Sequence, residues 1–326
     1  MPITESFRRG ITLASAPFTV GVLGAGHVGS AVTNALVLLG ACRRVVLFDR
    51  NMRRAEAEAW DVEDGVPLLD EVEIMPTSSY SDLASADIVV VTVGASKMRE
   101  NRLELLATNA GVIRDVVGAL DDVAPEAVLI MTTNPVDVLT RIAMERSTRP
   151  PNRIVGTGTM LETARLRHRL GQVLQIDQGD VHAYVIGEHG ESALPVWSSA
   201  QVGSVRLDDF HLPNGDPVSA IKGDLAAGVL RRAFDIVDRK GFTNQGLAVA
   251  VARIVRCIRR DQKQMLVLSS RPRAEYRIGD VVLGLPCIVG RSGIERQVVI
   301  SLTADEQESL GRSAGILDAA YRSVSS

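Results

Sequence analysis

The sequence predicts an α/β fold in which a doubly wound parallel sheet is followed by a second domain of mixed α and β structure. Between residues 18 and 133, short apolar runs alternate with segments of helical length, a pattern typical of a parallel sheet covered by helices on both faces. After Pro150 and Pro151 this alternation stops, and two long amphipathic segments and further β-rich runs follow. We therefore predict two domains, over residues 1–150 and 151–326.

The first domain is expected to contain five parallel strands, preceded by a short N-terminal extension over residues 1–17. The strands are FTVGVLG (18–24), RVVLFD (44–49), EVEIMPTS (71–78), IVVVTVG (88–94) and AVLIMTT (127–133). Their β-branched and apolar composition fits strands that are buried on both faces.

The second domain begins with RIVGTG (153–158), which leads into a helical stretch, and VHAYVIGEHG follows it. Amphipathic helices are expected at about 216–239 and 244–261, and β-rich runs at about 264–302. A last helix is expected to begin at the capping box Thr303-Ala304-Asp305-Glu306. Because the sequence has no long linker, we expect the two domains to pack as one rigid subunit.

Composition and charge favour small-molecule ligands. The chain of 326 residues is 46% hydrophobic and 23% charged, which is typical of an ordinary globular protein. Lys and Arg number 36 against 39 Asp and Glu, for a net charge of −3. The sequence therefore offers no basic field for nucleic acid or for an anionic membrane, and neither partner is expected.

The sequence predicts no membrane span, disulfide framework or metal site. No segment reaches the roughly 18 apolar residues that a spanning helix needs. Cys42, Cys257 and Cys287 lie far apart, and none belongs to a C-x-x-C motif, which argues against both cystine bridges and zinc. We expect a cytoplasmic protein.

A glycine-rich turn between the first strand and the first helix predicts a dinucleotide site of the Rossmann type. The motif is Gly24-Ala25-Gly26-His27-Val28-Gly29. Gly24 allows a tight turn, Gly26 lets the backbone approach a pyrophosphate, and Gly29 lets the helix and the strand pack closely. Asp49 ends the second strand, where its carboxylate would accept hydrogen bonds from ribose hydroxyls and repel a 2′-phosphate. NAD rather than NADP is the expected cofactor.

A histidine between glycines is the second candidate site. His189 lies in Val185-Ile186-Gly187-Glu188-His189-Gly190-Glu191-Ser192, after a predicted strand, and is expected to project into a cleft. Glu162 and Arg165 lie three residues apart early in a predicted helix, which places an acid and a base on one face. Taken alone, that pair is also compatible with a solvated salt bridge.

Five segments together resemble the L-lactate and L-malate dehydrogenase family, and bacterial L-lactate dehydrogenases in particular. They are GAGHVGSA, TTNPVD, GTGTMLETARLR, VHAYVIGEHGES and RKGFTNQGLAVA. The resemblance runs from about Phe18 to the carboxyl terminus. It implies an NAD-dependent oxidoreductase that interconverts a small 2-oxo acid and an L-2-hydroxy acid, and a homo-oligomer, either a dimer or a tetramer.

The resemblance also implies catalytic roles. His189 corresponds to the catalytic histidine, and Glu162 to the acidic residue that orients it. Arg165 corresponds to the arginine that grips the substrate carboxylate, and Arg102 to the mobile-loop arginine that polarises the reacting carbonyl. These side chains suit the roles, because a planar guanidinium binds a carboxylate in a bidentate manner and an imidazolium beside a carboxylate is an acid suited to neutral pH.

The remaining predicted site residues bind the substrate or the cofactor. Asn134, Thr243 and Ser96 are implied to lie beside the substrate. The predicted cofactor-binding residues are Gly24, Gly26, Val28, Gly29, Asp49, Thr92, Gly94 and Asn134.

Four positions depart from the family pattern. Glu191 replaces the aspartate usual after the GEHG run, and Asp64 stands where lactate enzymes often carry a histidine. Glu162 stands where the family has aspartate, so its side chain is one methylene longer. Ser96 stands where lactate enzymes have glutamine and malate enzymes have arginine, which leaves substrate choice open.

Lactate is favoured, by Thr243 among other residues. The alternatives are malate, with Lys97 or Arg99 as a second cation, a longer-chain 2-oxo acid and, outside the enzymes, a catalytically silent NAD-binding sensor.

Arg167 and His182 predict a regulatory site. They match the arginine and the histidine with which some bacterial lactate dehydrogenases bind the phosphates of fructose 1,6-bisphosphate across a subunit interface. The alternative is structural: Arg167 belongs to the arginine-rich run RLRHR, and His182 only packs at the end of a strand.

Overall fold

The computed structural model describes residues 17–95 and 102–325. Its strands are β1 (Thr19–Leu23), β2 (Arg44–Phe48), β3 (Glu73–Thr77), β4 (Ile88–Val91), β5 (Val128–Met131), β6 (Ile154–Gly156), β7 (Val181–Ile186), β8 (Leu194–Val202), β9 (Val205–Arg206), β10 (Gln264–Ser270), β11 (Leu283–Gly290) and β12 (Gly293–Gln297). Its α-helices are α1 (His27–Leu38), α2 (Met52–Glu63), α3 (Arg102–Val123), α4 (Val136–Arg146), α5 (Met160–Leu174), α6 (Lys222–Lys240), α7 (Gln245–Arg259) and α8 (Ala304–Arg322).

One large sheet runs through most of the molecule, with the strand order β3-β2-β1-β4-β5-β6-β10-β11-β12. The strands from β1 to β6 are parallel, so the predicted doubly wound fold is confirmed. The chain order reverses between β1 and β4, and ligands of such sheets bind outside the carboxyl ends of the strands at this switch point.

The apolar strands are buried on both faces, as their composition predicts. Every residue of β1, β4 and β5 is buried. Leu23 faces a core built with α3, α4 and α8, whereas Val20 and Val22 face a core built with α1 and α7. These two layers fix the sheet between helices.

The strands near the carboxyl terminus extend the same sheet. β10 pairs antiparallel with β6 through Ser269 and Gly156, and β11 and β12 follow antiparallel. Thus one continuous sheet joins the two halves of the chain. The β-rich character of this region was predicted, but its partner strand was not evident from the sequence.

A second, smaller sheet supports the other half. β7, β8 and β9 form an antiparallel sheet, whose buried side chains pack with those of α5 and α6. The sequence pattern predicts β7 but not β8 or β9.

The last helix, α8, begins at the capping box that the sequence predicts. Thr303 Oγ1 accepts a hydrogen bond from the Glu306 N–H at 3.3 Å, and Glu306 Oε2 accepts one from the Thr303 N–H at 2.9 Å. Two otherwise unsatisfied amide groups are paired in this way. α8 packs against α4 and β8, close to the loop that follows β7.

Candidate active site

The glycine turn after β1 has the tight geometry that the motif requires. Gly24 has a φ of 108°, a conformation that side chains disfavour. A Cβ at Gly29 would lie 1.7 Å from the Gly24 carbonyl oxygen, so only glycine permits this approach of α1 to the strand. Thr92, directly after β4, donates its hydroxyl to the Leu23 carbonyl at 3.0 Å and thereby holds the turn from the neighbouring strand.

Gly26 differs from its neighbours because a Cβ there would meet no atom within 4 Å. It is the N-cap of α1, and no side chain caps the helix. The first amide groups of α1 therefore adjoin open space, and a helix N-terminus of this kind attracts phosphate. Half-buried Val28 packs against the core of the sheet. This cradle fits the pyrophosphate of a dinucleotide.

Asp49 lies just beyond β2, beside the same turn. Its Oδ2 accepts a hydrogen bond from the Ala25 N–H at 2.9 Å, and its Oδ1 accepts one from the Asn51 N–H at 2.9 Å. The carboxylate thus ties the end of β2 to the glycine turn. The sequence predicts only a ligand-binding role for Asp49, and this structural contact was not predicted.

A buried amide organises the segment after β4. Asn109, which is 1% exposed, accepts a hydrogen bond from the Ala95 N–H at 2.7 Å and donates to the Asn134 carbonyl at 3.2 Å. A Cβ at Gly94 would lie 2.4 Å from Thr133 Cγ2. The predicted positions Gly94 and Asn134 are therefore held side by side, and Asn109 is a positioning residue that the sequence did not reveal.

His189, Glu162 and Arg165 form one charged cluster. His189 follows β7, while Glu162 and Arg165 lie in the first two turns of α5. Glu162 Oε2 lies 3.2 Å from His189 Nδ1, and Glu162 Oε1 lies 3.0 Å from Arg165 Nη1. The longer side chain of Glu162 thus still reaches the histidine, and it pairs with the arginine as well.

The cluster sets the charge state of each member. The Glu162 side chain is only 5% exposed, and that of His189 is 23% exposed. Burial favours a neutral carboxyl, but the charge and hydrogen bond of His189, followed by the charge of Arg165, outweigh it and lower the pKa of Glu162. Burial likewise opposes an imidazolium, yet the charge and hydrogen bond of Glu162 raise the pKa of His189 to about 9. An imidazolium facing a carboxylate is therefore the resting state at neutral pH.

The cluster opens into a cavity of about 760 Å³. Asn134 and Thr243 lie on its wall with His189, Glu162 and Arg165, so the structure brings these five predicted residues together. Much of the remaining wall is apolar: Leu105, Leu106, Val138, Leu161, Leu230, Phe234, Val237, Leu247, Ile316 and Leu317. A volume of this size suits a small ligand together with part of a cofactor.

The predicted loop residues fall outside this description. Ser96, Lys97 and Arg99 lie outside the described residues. Arg102 is the first residue of α3, but its side chain also lies outside the described part of the structure. Their expected contacts with the substrate remain predictions.

The loop that carries His189 is fixed by hydrogen bonds on both sides. The His189 N–H donates to Asp137 Oδ2 at 2.7 Å, and the Glu188 N–H is bonded to Ser313 Oγ of α8 at 2.7 Å. Glu188 Oε2 in turn accepts a hydrogen bond from the Ser192 N–H at 3.3 Å. Neither Asp137 nor Ser313 was singled out from the sequence, because both lie far from the loop along the chain.

The predicted regulatory pair lies on adjoining elements. Half-buried Arg167, on α5, donates from Nε to the Ala183 carbonyl at 2.9 Å, and its guanidinium lies 4.8 Å from the centre of the Tyr184 ring. His182 is exposed on β7, and α5 packs directly on this strand.

An aromatic contact links the glycine turn to the second half of the chain. The rings of His27 and Phe242 are stacked, with centroids 4.1 Å apart and planes 3° from parallel. Asn244 Nδ2 donates to the His27 carbonyl at 3.1 Å. Because Thr243 lies between Phe242 and Asn244, the contacts of these two residues with His27 support both the glycine turn and the cavity wall. No sequence signal pointed to this contact.

Metal sites, membrane-spanning helices and disulfide bonds were not expected from the sequence. Within residues 17–95 and 102–325, no group of three or more His, Cys, Asp or Glu side chains is arranged to hold a metal ion. No helix in the same ranges is long and apolar enough to cross a membrane. Cys42, Cys257 and Cys287 are all buried and unpaired.

Comparison with protein families agrees with this geometry. Residues 18–156 match the model of the lactate/malate dehydrogenase NAD-binding domain, and residues 159–325 match that of the lactate/malate dehydrogenase alpha/beta C-terminal domain. The two matches follow one another along nearly the whole chain.

Individual relatives give the same result. The chain is 40% identical over 301 residues to an L-lactate dehydrogenase of Salinibacter ruber, covering 92% of this chain and 95% of that one. It is 43% identical over 305 residues to an L-lactate dehydrogenase of Thermus aquaticus, covering 92% and 97%. A solved lactate dehydrogenase from a Medee basin deep-sea metagenome library superimposes with a TM-score of 0.89 at 32% identity, covering 95% of this chain and 99% of that one.

Paired glycine substitutions should separate cofactor binding from folding. Gly26→Ala adds a methyl group in open space at an ordinary φ of −80°, so the melting temperature should hold while the Kd for NADH rises by about tenfold or more, because pyrophosphate needs that space. Gly29→Ala should instead lower the melting temperature or abolish folding. The control is Gly311→Ala in α8, where a Cβ also meets open space. Tight NADH binding by folded Gly26→Ala protein would contradict the cradle.

Proposed function

Because the chain belongs to the lactate/malate dehydrogenase family, we propose that it is an NAD-dependent L-lactate dehydrogenase, which interconverts pyruvate and L-lactate. The observation that carries this proposal is the convergence of His189, Glu162 and Arg165 on one cavity. The cavity wall includes Asn134, whose carbonyl is bonded to the same Asn109 that holds the segment after β4. The cluster of His189, Glu162 and Arg165 therefore lies next to the segments that are predicted to bind the cofactor.

Arg165 would bind the substrate carboxylate. Its side chain is 18% exposed and lines the cavity, and one nitrogen is already oriented by Glu162. A guanidinium held at one edge presents its other donors in a fixed plane, which suits a bidentate carboxylate contact. This contact would place the adjoining carbonyl carbon of the substrate toward His189.

His189 would carry the proton of the reaction. When bound, NADH supplies the hydride that reduces the carbonyl carbon. In that direction His189 donates its proton to the carbonyl oxygen, and in the oxidation of a 2-hydroxy acid the neutral imidazole accepts the hydroxyl proton. Glu162 orients the ring through Nδ1, which leaves Nε2 for the substrate. Arg102 is proposed to stabilise the negative charge that develops on the oxygen.

The charges of the described cavity wall favour a monocarboxylate. Arg165 is the only Lys or Arg among the described lining residues, whereas Glu188 and Glu191 are acidic. A second substrate carboxylate, as in oxaloacetate, would need another cation, and the sequence-predicted candidates for it are Lys97 and Arg99. Malate therefore ranks below lactate.

A longer-chain 2-oxo acid is the second candidate, and the apolar wall is what favours it. Leu230, Phe234 and Val237 of α6 line the same cavity, and Ser96 in the loop is smaller than the glutamine of lactate enzymes. A silent NAD-binding sensor is less favoured, because such a protein would have no need for an imidazolium, a buried carboxylate and a guanidinium in one cavity.

The substrate is tested by following NADH absorbance with pyruvate, oxaloacetate and 2-oxoisocaproate in parallel. We expect kcat/KM for pyruvate to exceed that for oxaloacetate by about tenfold or more, since the dicarboxylate would bring an unpaired charge into the cavity. A preference for 2-oxoisocaproate would move the assignment to the longer-chain candidate. Turnover of none of the three would favour the silent sensor.

The ionisation of His189 predicts the pH dependence. With the pKa of His189 near 9, kcat/KM for pyruvate reduction should be level at neutral pH and fall as the pH rises through that value, because the acid loses its proton. Glu162→Gln should move the midpoint to lower pH by removing the charge that raises it. His189→Ala should lower kcat by about 10² to 10⁴. Activity of His189→Ala within a factor of about two of the unmodified enzyme would exclude this general acid.

The proposal extends to assembly, regulation and location. We infer a cytoplasmic homo-oligomer, dimeric or tetrameric, in which Arg167 and His182 bind the phosphates of fructose 1,6-bisphosphate. Supporting this, the Arg167 side chain is fixed by the Ala183 carbonyl and the Tyr184 ring, and His182 is exposed on the strand that α5 covers. A ligand bound between subunits would favour the assembled state.

Regulation is tested by pyruvate saturation with and without the bisphosphate, together with sizing chromatography. We expect the ligand to lower the KM for pyruvate by about fivefold or more, and Arg167→Ala and His182→Ala to abolish this effect. His168→Ala is the matched control, because His168 is also exposed on α5 and its ring nitrogen contacts Gln178. An unmodified enzyme indifferent to the ligand, or variants activated as strongly, would refute the site.

A further inference from the structure

A second buried carboxylate lies behind His189. Asp137, in the first turn of α4, is 2% exposed. Its Oδ2 accepts a hydrogen bond from the His189 N–H at 2.7 Å, and its Oδ1 accepts one from the Ser269 hydroxyl at 2.6 Å. Asp137 thus joins three elements at one point: α4, β10 and the loop after β7.

The charge of Asp137 is balanced in an unusual way. Among the described residues, no Lys or Arg forms an ion pair with it. Two hydrogen bonds and the positive end of α4 stabilise it, and His189 is the cation that acts on it. Burial raises the pKa of Asp137 to about 6, against the lowering effects of Ser269 and His189. Asp137 is consequently anionic above that pH.

The loop around His189 needs such an anchor. Gly187 and Gly190 flank Glu188 and His189, and Gly187 has a φ of 94°. Glycine loses more conformational freedom on folding than other residues, so ordering this segment has an entropic cost that its hydrogen bonds must offset. Because the Asp137 carboxylate accepts a hydrogen bond from the His189 N–H, it fixes the backbone from which the imidazole extends. It also places a negative charge near the ring.

We propose that Asp137 is a positioning residue for the proposed reaction: it holds the His189 backbone in the cavity wall, and its charge acts with that of Glu162 to keep the imidazole protonated. This inference rests on the proposed function only for its kinetic readout. The geometry and the charge are properties of the protein without substrate.

The charged groups that face His189 come from α5, from α4 and from its own loop. From α5, Glu162 favours the imidazolium and Arg165 opposes it; from α4, Asp137 favours it. Its own loop contributes Glu188, which is bonded to Ser192, and Glu191. The α8 residues of the cavity wall are apolar. Two carboxylates therefore act on the ring in the same direction.

The test compares Asp137→Asn, which keeps the shape and removes the charge, with Ser269→Ala, which keeps the charge and removes one hydrogen bond. Kinetically, the pH midpoint of kcat/KM for pyruvate reduction should fall by about one pH unit in Asp137→Asn. In Ser269→Ala it should stay within about 0.3 pH unit of the unmodified enzyme. An Asp137→Asn midpoint equal to that of the unmodified enzyme would overturn the proposal.

A second readout needs no substrate. Imidazole ¹⁵N resonances of labelled protein report the ionisation of His189 directly, and with 5 histidines in the chain the signal can be assigned by its loss in His189→Gln. The His189 titration should move to lower pH in Asp137→Asn. In the unmodified protein it should also show a second inflection near pH 6, where Asp137 gains its proton.

The two readouts keep the inference separate from the function. If no 2-oxo acid is reduced but the His189 titration moves in Asp137→Asn, the proposed function fails and the role of Asp137 stands. If Asp137→Asn does not fold, the unmodified protein decides the matter through a change in the His189 resonances at the pH, whatever its value, at which the Asp137 carboxyl, followed by its ¹³C resonance, gains its proton. The absence of that change would contradict the proposal, and its presence would support it.

Discussion

The buried negative charge of Glu162 is the constraint on which the site depends. An ionised carboxylate that is 5% exposed costs several kcal/mol in lost hydration unless cations and hydrogen bonds replace the water. His189 and Arg165 are the cations that do so, and each is the group that the proposed chemistry requires. Thus the interactions that make Glu162 tolerable inside the protein are the same ones that orient the acid and the carboxylate-binding guanidinium.

The sheet explains how these residues come to lie together. The carboxyl ends of β1, β4 and β5 lie at one edge, so the glycine turn, Thr92 and Asn134 meet there. β10 continues the same sheet. It brings Ser269 to the buried face of α4, where the Ser269 hydroxyl donates a hydrogen bond to Asp137. A single sheet therefore positions residues from both halves of the chain, which a flexible connection between two separate sheets would not do.

The parts of the structure that local patterns encode could be predicted from the sequence. The strands β1 to β5 and β7 follow from apolar runs, the turn at Gly24 from its glycine spacing, and the start of α8 from a four-residue capping box. Contacts between distant segments left no such pattern: Asp137 and His189 are 52 residues apart, and Asn244 and His27 are 217 apart. A sequence does not show which Asp, Asn or aromatic residue has a distant partner, because only the fold brings the two together.

The two contacts of Glu162 affect how the site responds to its ligand. One oxygen of Glu162 lies against His189 and the other against Arg165, so the two cations share one anion, and the charge of Arg165 lowers the pKa of His189. A substrate carboxylate bound to Arg165 would neutralise that charge and leave Glu162 acting more strongly on the imidazole. In the proposed reaction, binding the oxo acid would then favour the protonated histidine that its reduction needs, so substrate and proton would bind cooperatively.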